Sequence, residues 1–415
     1  MGTAAEPRPL RLLFLAPFPP RADAPLGSAR ALAGLLVHLA PRHRLAVVYL
    51  RRPGDPPPGP EVAERCERLE EVALPATANG RLGRRVRLLG GLLGGRPMNV
   101  TRWAAPAFAE RARSLCLSWR PDVVQADLAV MGPYLGALDG RPVPRVLVEH
   151  EPAVTGAEGE LSRSTGLARA VHRLDLRAWR RLEPRLLRGA DAVVAFTGRD
   201  AEALRRLAPG VRVECIPVGV PLPERPLDPL GTDPPSILFL GNYTHPPNVD
   251  AAVRLAASIF PAVERRCPGA RLVLAGDAPP AEVRRLARPG VEVTGRVPDA
   301  APYLDRAAVV AAPLRLGGGM RVKVLEALAA GKAVVASLLA VEGLDLPQGA
   351  DAPVVVAESD DDFATAVAGL LGSPERRAAL AGRARGWACA HLGWERPAAA
   401  FERLYEELLA TEGAA

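Results

Sequence analysis

Residues 314–337 read LRLGGGMRVKVLEALAAGKAVVAS. Three consecutive glycines, Gly317, Gly318 and Gly319, follow an apolar run that ends at Pro313. The spacing after them predicts a helix from about Met320 to Ala330, a stop at Gly331 and a strand opening at Ala333. Glycines between a strand and a helix let the backbone approach a phosphate closely, and the helix start offers unpaired N–H groups and a partial positive charge. Gly319, Lys323 and Glu326 share one helical face, and Val322, Leu325 and Ala329 share another that suits a sheet. One face thus presents an ammonium, and a carboxylate able to accept bonds from vicinal hydroxyls such as those of a ribose. A lysine near a helix N-terminus is disfavoured by the helix dipole, and an anion beside it would explain its presence. Lys323 and Lys332 are the only lysines among 53 basic residues. Lys332, just past the stop, is expected to serve only the helix end.

Outward from this segment, short apolar runs alternate with helical patterns. Strands are predicted at 11–17, 44–50, 122–127, 145–150, 190–196 and 213–218. Then comes the proline-rich stretch VPLPERPLDPLGTDPP, residues 220–235, which suits neither a regular helix nor a central strand. The alternation restarts with strands at 236–241, 271–276, 291–295, 307–313, 333–337 and 353–357. Unbroken runs rich in Val and Leu are expected of parallel strands covered on both faces. The fold class is therefore α/β, with two doubly wound, Rossmann-like domains in tandem. The expected division is 1–219, a linker 220–235, a second domain 236–392 and an amphipathic terminal helix 393–415. Ser28 or Gly27 is expected to cap the first helix. Ligands of open α/β sheets bind beyond the carboxyl ends of the strands, so the chemistry should lie on the loops there, facing an interdomain cleft.

With 415 residues, 48% hydrophobic and 24% charged, the chain has material for two large cores. The formal charge of +7 favours phosphates or anionic surfaces as partners. No zinc-finger spacing or aromatic-rich basic strand is present, so nucleic acid is not an expected partner. Five scattered cysteines without a CxxC fit buried thiols in a reducing, cytoplasmic setting. The run LRLLFLAP reads as a strand rather than a signal peptide. The segment GRLGRRVRLLGGLLGGR, 80–96, alternates arginine with leucine and is a candidate for peripheral contact with the inner face of a membrane. SDDDF, 359–363, reads as a helix cap at Ser359 or Asp360. No acidic metal motif is evident and no cofactor is called for.

The segment GGGMRVKVLEALAAGKAVVAS, followed by VEGLDL, resembles the donor-binding signature of glycosyltransferase family 4, a retaining family of the GT-B fold. FLGNYTHPPNVDAAVRL, ARLVLAGD, GRVPDAAPYLDRAAVVAAPL and ADAVVAFTGRDAEAL extend the resemblance over most of the chain. It implies transfer of a sugar from a nucleoside-diphosphate sugar to a hydroxyl acceptor, a glycan, a lipid-linked intermediate or a small molecule, without a metal. It makes the second domain the donor side and the first the acceptor side, with the terminal helix crossing back onto the first. Glu326 matches the residue that binds the donor ribose. Gly317, Gly318 and Gly319, with Arg321 and Lys323, match the segment around the diphosphate and sugar. Gly241 and Asn242 lie in the turn after the first donor-domain strand. Val297 lies where the backbone meets the nucleobase, and Gly27 in a loop that closes on the phosphates. His150 matches a histidine near the donor sugar, giving His150, Arg321 and Lys323 as candidate catalytic groups. Two features depart from the common pattern. Gly318 stands where many members carry a first glutamate, and Asn242, His245 and Asn248 occupy a turn that commonly carries arginine and lysine. A GGG-R-x-K-x-x-E subgroup resembles the chain better, with Arg321 and Lys323 supplying the charge on the leaving diphosphate. Alternatives implied are a nucleotide-sugar 2-epimerase of the same fold and a non-catalytic binding protein.

Overall fold

The computed structural model describes residues 8–24, 26–74, 80–138, 142–297, 299–317 and 321–412. The chain divides into two compact units: Met1–Ala24, Ser28–Pro217 and Pro397–Ala415 form one, and Pro25–Gly27 with Val218–Arg396 form the other.

The first unit holds a seven-stranded parallel sheet: β1 (Arg11–Ala16), β2 (Arg44–Arg51), β3 (Arg68–Ala73), β4 (Val123–Asp127), β5 (Arg145–Glu149), β6 (Ala192–Ala195) and β7 (Val213–Cys215), in the order β3-β2-β1-β4-β5-β6-β7. From Leu12 to Ala16, and throughout β4, β5 after Arg145 and β6, every residue is buried. That burial is why these runs read as unbroken hydrophobic stretches. β3 (RLEEVA) is an edge strand that leaves most of its side chains outside the core. The helix Gly27–Leu39 returns the chain from β1 to β2. Gly27 and Ser28 lie in its first turn, so neither caps it. The terminal helix Glu395–Glu412 is shared between the units by sequence, and from Pro397 onward it belongs to the first.

The second unit repeats the plan with β8 (Ser236–Leu240), β9 (Arg271–Ala275), β10 (Val291–Gly295), β11 (Val309–Ala312), β12 (Val334–Ala336) and β13 (Val355–Val356), all parallel, in the order β10-β9-β8-β11-β12-β13. In both sheets the chain first winds one way and then reverses. The switch points lie between β1 and β4 and between β8 and β11, where open α/β sheets leave a crevice beyond their carboxyl ends. The proline-rich stretch packs on this unit: the Leu227 N–H donates to the Ala330 carbonyl at 2.9 Å.

Lys332 departs from expectation. The helix Val322–Ala329 ends without it, in a paired motif: Gly331 takes φ +72°, its N–H donates to Leu328, and the Lys332 N–H donates to Ala327. The Lys332 side chain is wholly buried, and its ammonium donates to the carbonyls of Asp228 and Asp305. It ties the incoming proline-rich stretch to the helix Ala301–Arg306 that precedes β11. Burial lowers its pKa to about 8, against the pull of Asp228 and Asp305. The unfolded chain therefore binds more protons than the native state between about pH 8 and 10.5, and this lysine's contribution to stability increases with pH across that window. Relative to Lys332→Met, the wild type should gain up to about 3 kcal/mol there, as measured by urea unfolding at each pH. A pH-independent difference would contradict the assignment.

Candidate active site

In the second unit the candidate residues gather at the switch point. The stretch after β11 is pinned before it reaches Gly317. The Ser337 hydroxyl donates to the Leu314 carbonyl at 2.6 Å. Buried Arg254 donates to the Pro313 carbonyl at 3.1 Å and pairs with Asp360 at 2.6 Å. Asp360 opens the helix Asp360–Leu371, which Ser359 caps through the Asp362 N–H. Arg315 pairs with Asp250 at 2.9 Å. Gly317 takes φ +110°, a conformation that suits glycine, and its carbonyl accepts a 2.8 Å bond from the Arg321 guanidinium. Gly318 and Gly319 lie outside the described residues.

The helix Val322–Ala329 starts two residues later than the spacing predicts, with Arg321 at its cap position. It buries Val324, Leu325, Ala327, Leu328 and Ala329. Lys323 and Glu326, three apart, are half-buried, as is Val322. The Lys323 ammonium lies 4.9 Å over the Phe239 ring and hydrogen-bonds the Asn248 side-chain carbonyl. Asn248, in turn, donates from its amide nitrogen to the Asn242 carbonyl at 2.7 Å. Asn242 shapes its own turn, its side-chain oxygen accepting from the N–H and hydroxyl of Thr244 at 3.0 and 2.7 Å. One asparagine therefore couples the loop after β8 to the lysine on the facing helix. Burial, and then the Lys323 charge, hold His245 below its usual pKa.

Gly241 and Asn242 directly follow β8. Gly276, after β9, comes so close that a β-carbon there would lie 1.7 Å from the Gly241 carbonyl oxygen. Only a glycine fits. Val297 follows β10, the edge strand two places from β8. Gly27 opens the helix after β1.

His150 belongs to the first unit, at the end of β5. Its Nε2 lies 3.0 Å from the Asp127 carboxylate at the end of β4, and its ring meets Phe196, which follows β6, edge to face at 4.6 Å. Three adjacent strand ends thus orient one imidazole. Sequence reasoning missed Asp127 and gave Asn248 no role. The visible signal for Asp127 was its place: a carboxylate closing an otherwise apolar buried strand. Among the described residues no group of three or more His, Cys, Asp or Glu is arranged to hold a metal ion.

A family model described as Glycosyltransferase Family 4 matches residues 26–223. One described as Glycosyl transferases group 1 matches residues 234–373. No curated protein sequence matches the chain. Among solved structures it is similar to sucrose-phosphate synthase from Thermosynechococcus elongatus, with a TM-score of 0.68 and 19% identity over 97% of this chain and 100% of that one. It is also similar to Anabaena HepE in complex with UDP and glucose, at 0.63 and 14% over 97% and 100%. Trehalose-6-phosphate synthase aligns at 0.65 and 12% over 95% and 99%. Two parallel sheets of this order, with these matches, define a glycosyltransferase of the GT-B fold. The two matched regions, 26–223 and 234–373, lie one in each sheet-bearing part of the chain and support a glycosyltransferase family for it.

Proposed function

We propose that this glycosyltransferase takes its sugar from a nucleoside-diphosphate sugar and passes it, with retention, to a hydroxyl acceptor. The observation that carries this reading is Lys323, held by Asn248 at the start of a helix that follows a glycine loop at the switch point of the second sheet. Breaking the sugar–phosphate bond builds negative charge on the diphosphate. Lys323, Arg321 and the helix N–H groups meet that charge without a metal. Glu326, one turn on, accepts from the ribose hydroxyls. The turn at Gly241 and Asn242 and the loop at Gly317, Gly318 and Gly319 let the backbone approach the phosphates. Val297 offers its backbone to the base. His150 is the residue proposed for the sugar, and Gly27 for the phosphates. The complex of HepE with UDP and glucose supports a nucleotide sugar as donor.

The acceptor is proposed to be lipid-linked, a glycan or a small molecule in the cytoplasm. The helix Gly80–Leu93 leaves Val86, Leu89 and Leu93 exposed at i, i+3 and i+7, which supports contact of 80–96 with a membrane face. No helix of the described residues is long and apolar enough to cross a membrane.

A panel of nucleoside diphosphates tests the donor site. A cognate ligand at 100 times its Kd stabilises the fold by about 2.7 kcal/mol, read as a rise in Tm. Glu326→Ala should weaken that ligand by about tenfold, the loss of a charged hydrogen bond worth about 1.5 kcal/mol. A labelled nucleotide sugar then reports the reaction. Release of a C2 epimer without transfer would sink the proposal.

A further inference from the structure

Beneath the turn that carries His150 lie two acids that the transfer reading leaves unused. Glu149, the last residue of β5, and Glu183, on the helix Gly166–Arg188, are both fully buried. Glu183 accepts the Ala153 N–H on Oε1 at 2.6 Å and the Val154 N–H on Oε2 at 2.7 Å. These are the first two amides of the helix Ala153–Arg163, whose cap residue Pro152 supplies no side-chain bond. The first amides of a helix need acceptors from outside it. Here both come from one carboxylate on another helix, and the helix they anchor starts three residues after His150. Neither oxygen of Glu149 has a hydrogen-bond partner of ordinary geometry.

We propose that Glu183 is a positioning residue for His150: its two-pronged hold on Ala153 and Val154 fixes the 150–152 turn. The inference rests on His150 acting in the transfer. Two carboxylates in a dry neighbourhood do not readily ionise together. Glu183 faces two amides and the positive end of a helix, so it takes the charge. Glu149 keeps its proton: burial, then the charges of Glu183 and Asp127, push it well above the carboxylate range, with the Ala129 amide opposing. Burial lifts Glu183 to about 7 despite its bonds to Val154 and Ala153. The charges that act on Glu149 are those of Glu183 and of Asp127 from β4, and Asp127 in turn engages His150. An ionised Glu183 grips its amides more strongly than a protonated one, so the turn tightens as pH rises through neutrality.

The test measures protection factors of the Ala153 and Val154 amides in the full-length protein, alongside kcat and KM, from about pH 5.5 to 8.5, a range bracketing the neutral ionisation. In the wild type, protection and kcat should rise together through about pH 7, following the pair's ionisation. Glu149→Gln exchanges an uncharged carboxyl for an uncharged amide and should leave both midpoints where they are. Glu183→Gln, with one carbonyl oxygen for two amides, should abolish both transitions and lower kcat more than it alters the donor KM. Protection that is flat with pH, or unchanged by Glu183→Gln, overturns the clamp. A kcat that keeps its wild-type rise with pH in Glu183→Gln overturns the positioning role. If no nucleotide sugar is turned over by the wild type, the transfer reading fails, and the exchange data still decide the clamp.

Discussion

Lys323→Met should lower kcat for sugar transfer by about 100- to 1,000-fold, the usual cost of removing one preorganised group that stabilises developing charge. The methionine keeps most of the apolar stem against Phe239, over whose ring the ammonium sits at 4.9 Å. It removes the positive charge and frees the Asn248 carbonyl. Donor KM should change far less than kcat, because charge on the leaving diphosphate is greatest in the transition state. An independent reading comes from His245, whose pKa is lowered first by burial and second by the Lys323 charge. In Lys323→Met the second cause vanishes, and the imidazole should titrate at higher pH, as followed by NMR. A variant that shows the His245 shift yet turns over at the wild-type rate would remove Lys323 from the leaving-group role. A variant that loses turnover without the shift would point to disrupted packing instead.

How far this site could be read beforehand varies with the kind of signal. The buried strands were plain, because a parallel strand covered on both faces writes itself as an unbroken run such as LLFLA or VLVE. β3 escaped for the converse reason: RLEEVA, at the sheet edge, satisfies solvent on most of its side chains and carries no such run. Lys323 and Glu326 were legible through helical spacing, since three residues put two side chains on one face. Lys332 was not. Its burial depends on two carbonyls, of Asp228 and Asp305, that lie 104 and 27 residues away, and nothing local records them. Asp127 and Glu183 fall between these cases. Each has a visible oddity, a carboxylate in a strand of apolar residues or on the inner face of a helix. The partner that explains it, His150 or the Ala153 amide, lies 23 or 30 residues off. Tertiary proximity of polar groups is the information that periodicity does not carry.

The terminal helix leads to the second large effect. Ala398, Phe401, Leu404, Tyr405 and Leu408 are buried at helical spacing on Glu395–Glu412. Tyr405 is wholly buried, and its hydroxyl donates to the Gln125 side-chain oxygen on β4 at 2.6 Å. Glu402, on the same helix, pairs with Arg42 at 2.6 Å and His43 at 3.0 Å. These are half-exposed or histidine-dependent contacts, and they add little beside the aromatic anchor. Tyr405→Ala removes a buried ring and leaves Gln125, itself buried, without its donor. The expected loss is about 4–5 kcal/mol, a large-to-small core change plus an orphaned polar group. Tyr405→Phe keeps the ring and isolates the second part, about 1–2 kcal/mol. Since the helix from Pro397 belongs to the first unit, urea unfolding followed by a probe in that unit should show the shift. Trp119, buried in the first unit's core, is such a probe once the other tryptophans are replaced. Because Tyr405 meets Gln125 two residues before Asp127 on β4, Tyr405→Ala should also loosen the strand end that orients His150. Turnover should then fall even at temperatures where the unit remains folded. A Tyr405→Ala protein within about 1 kcal/mol of wild type, below any core truncation of this size, would show that the helix is held by its rim and not by its buried face.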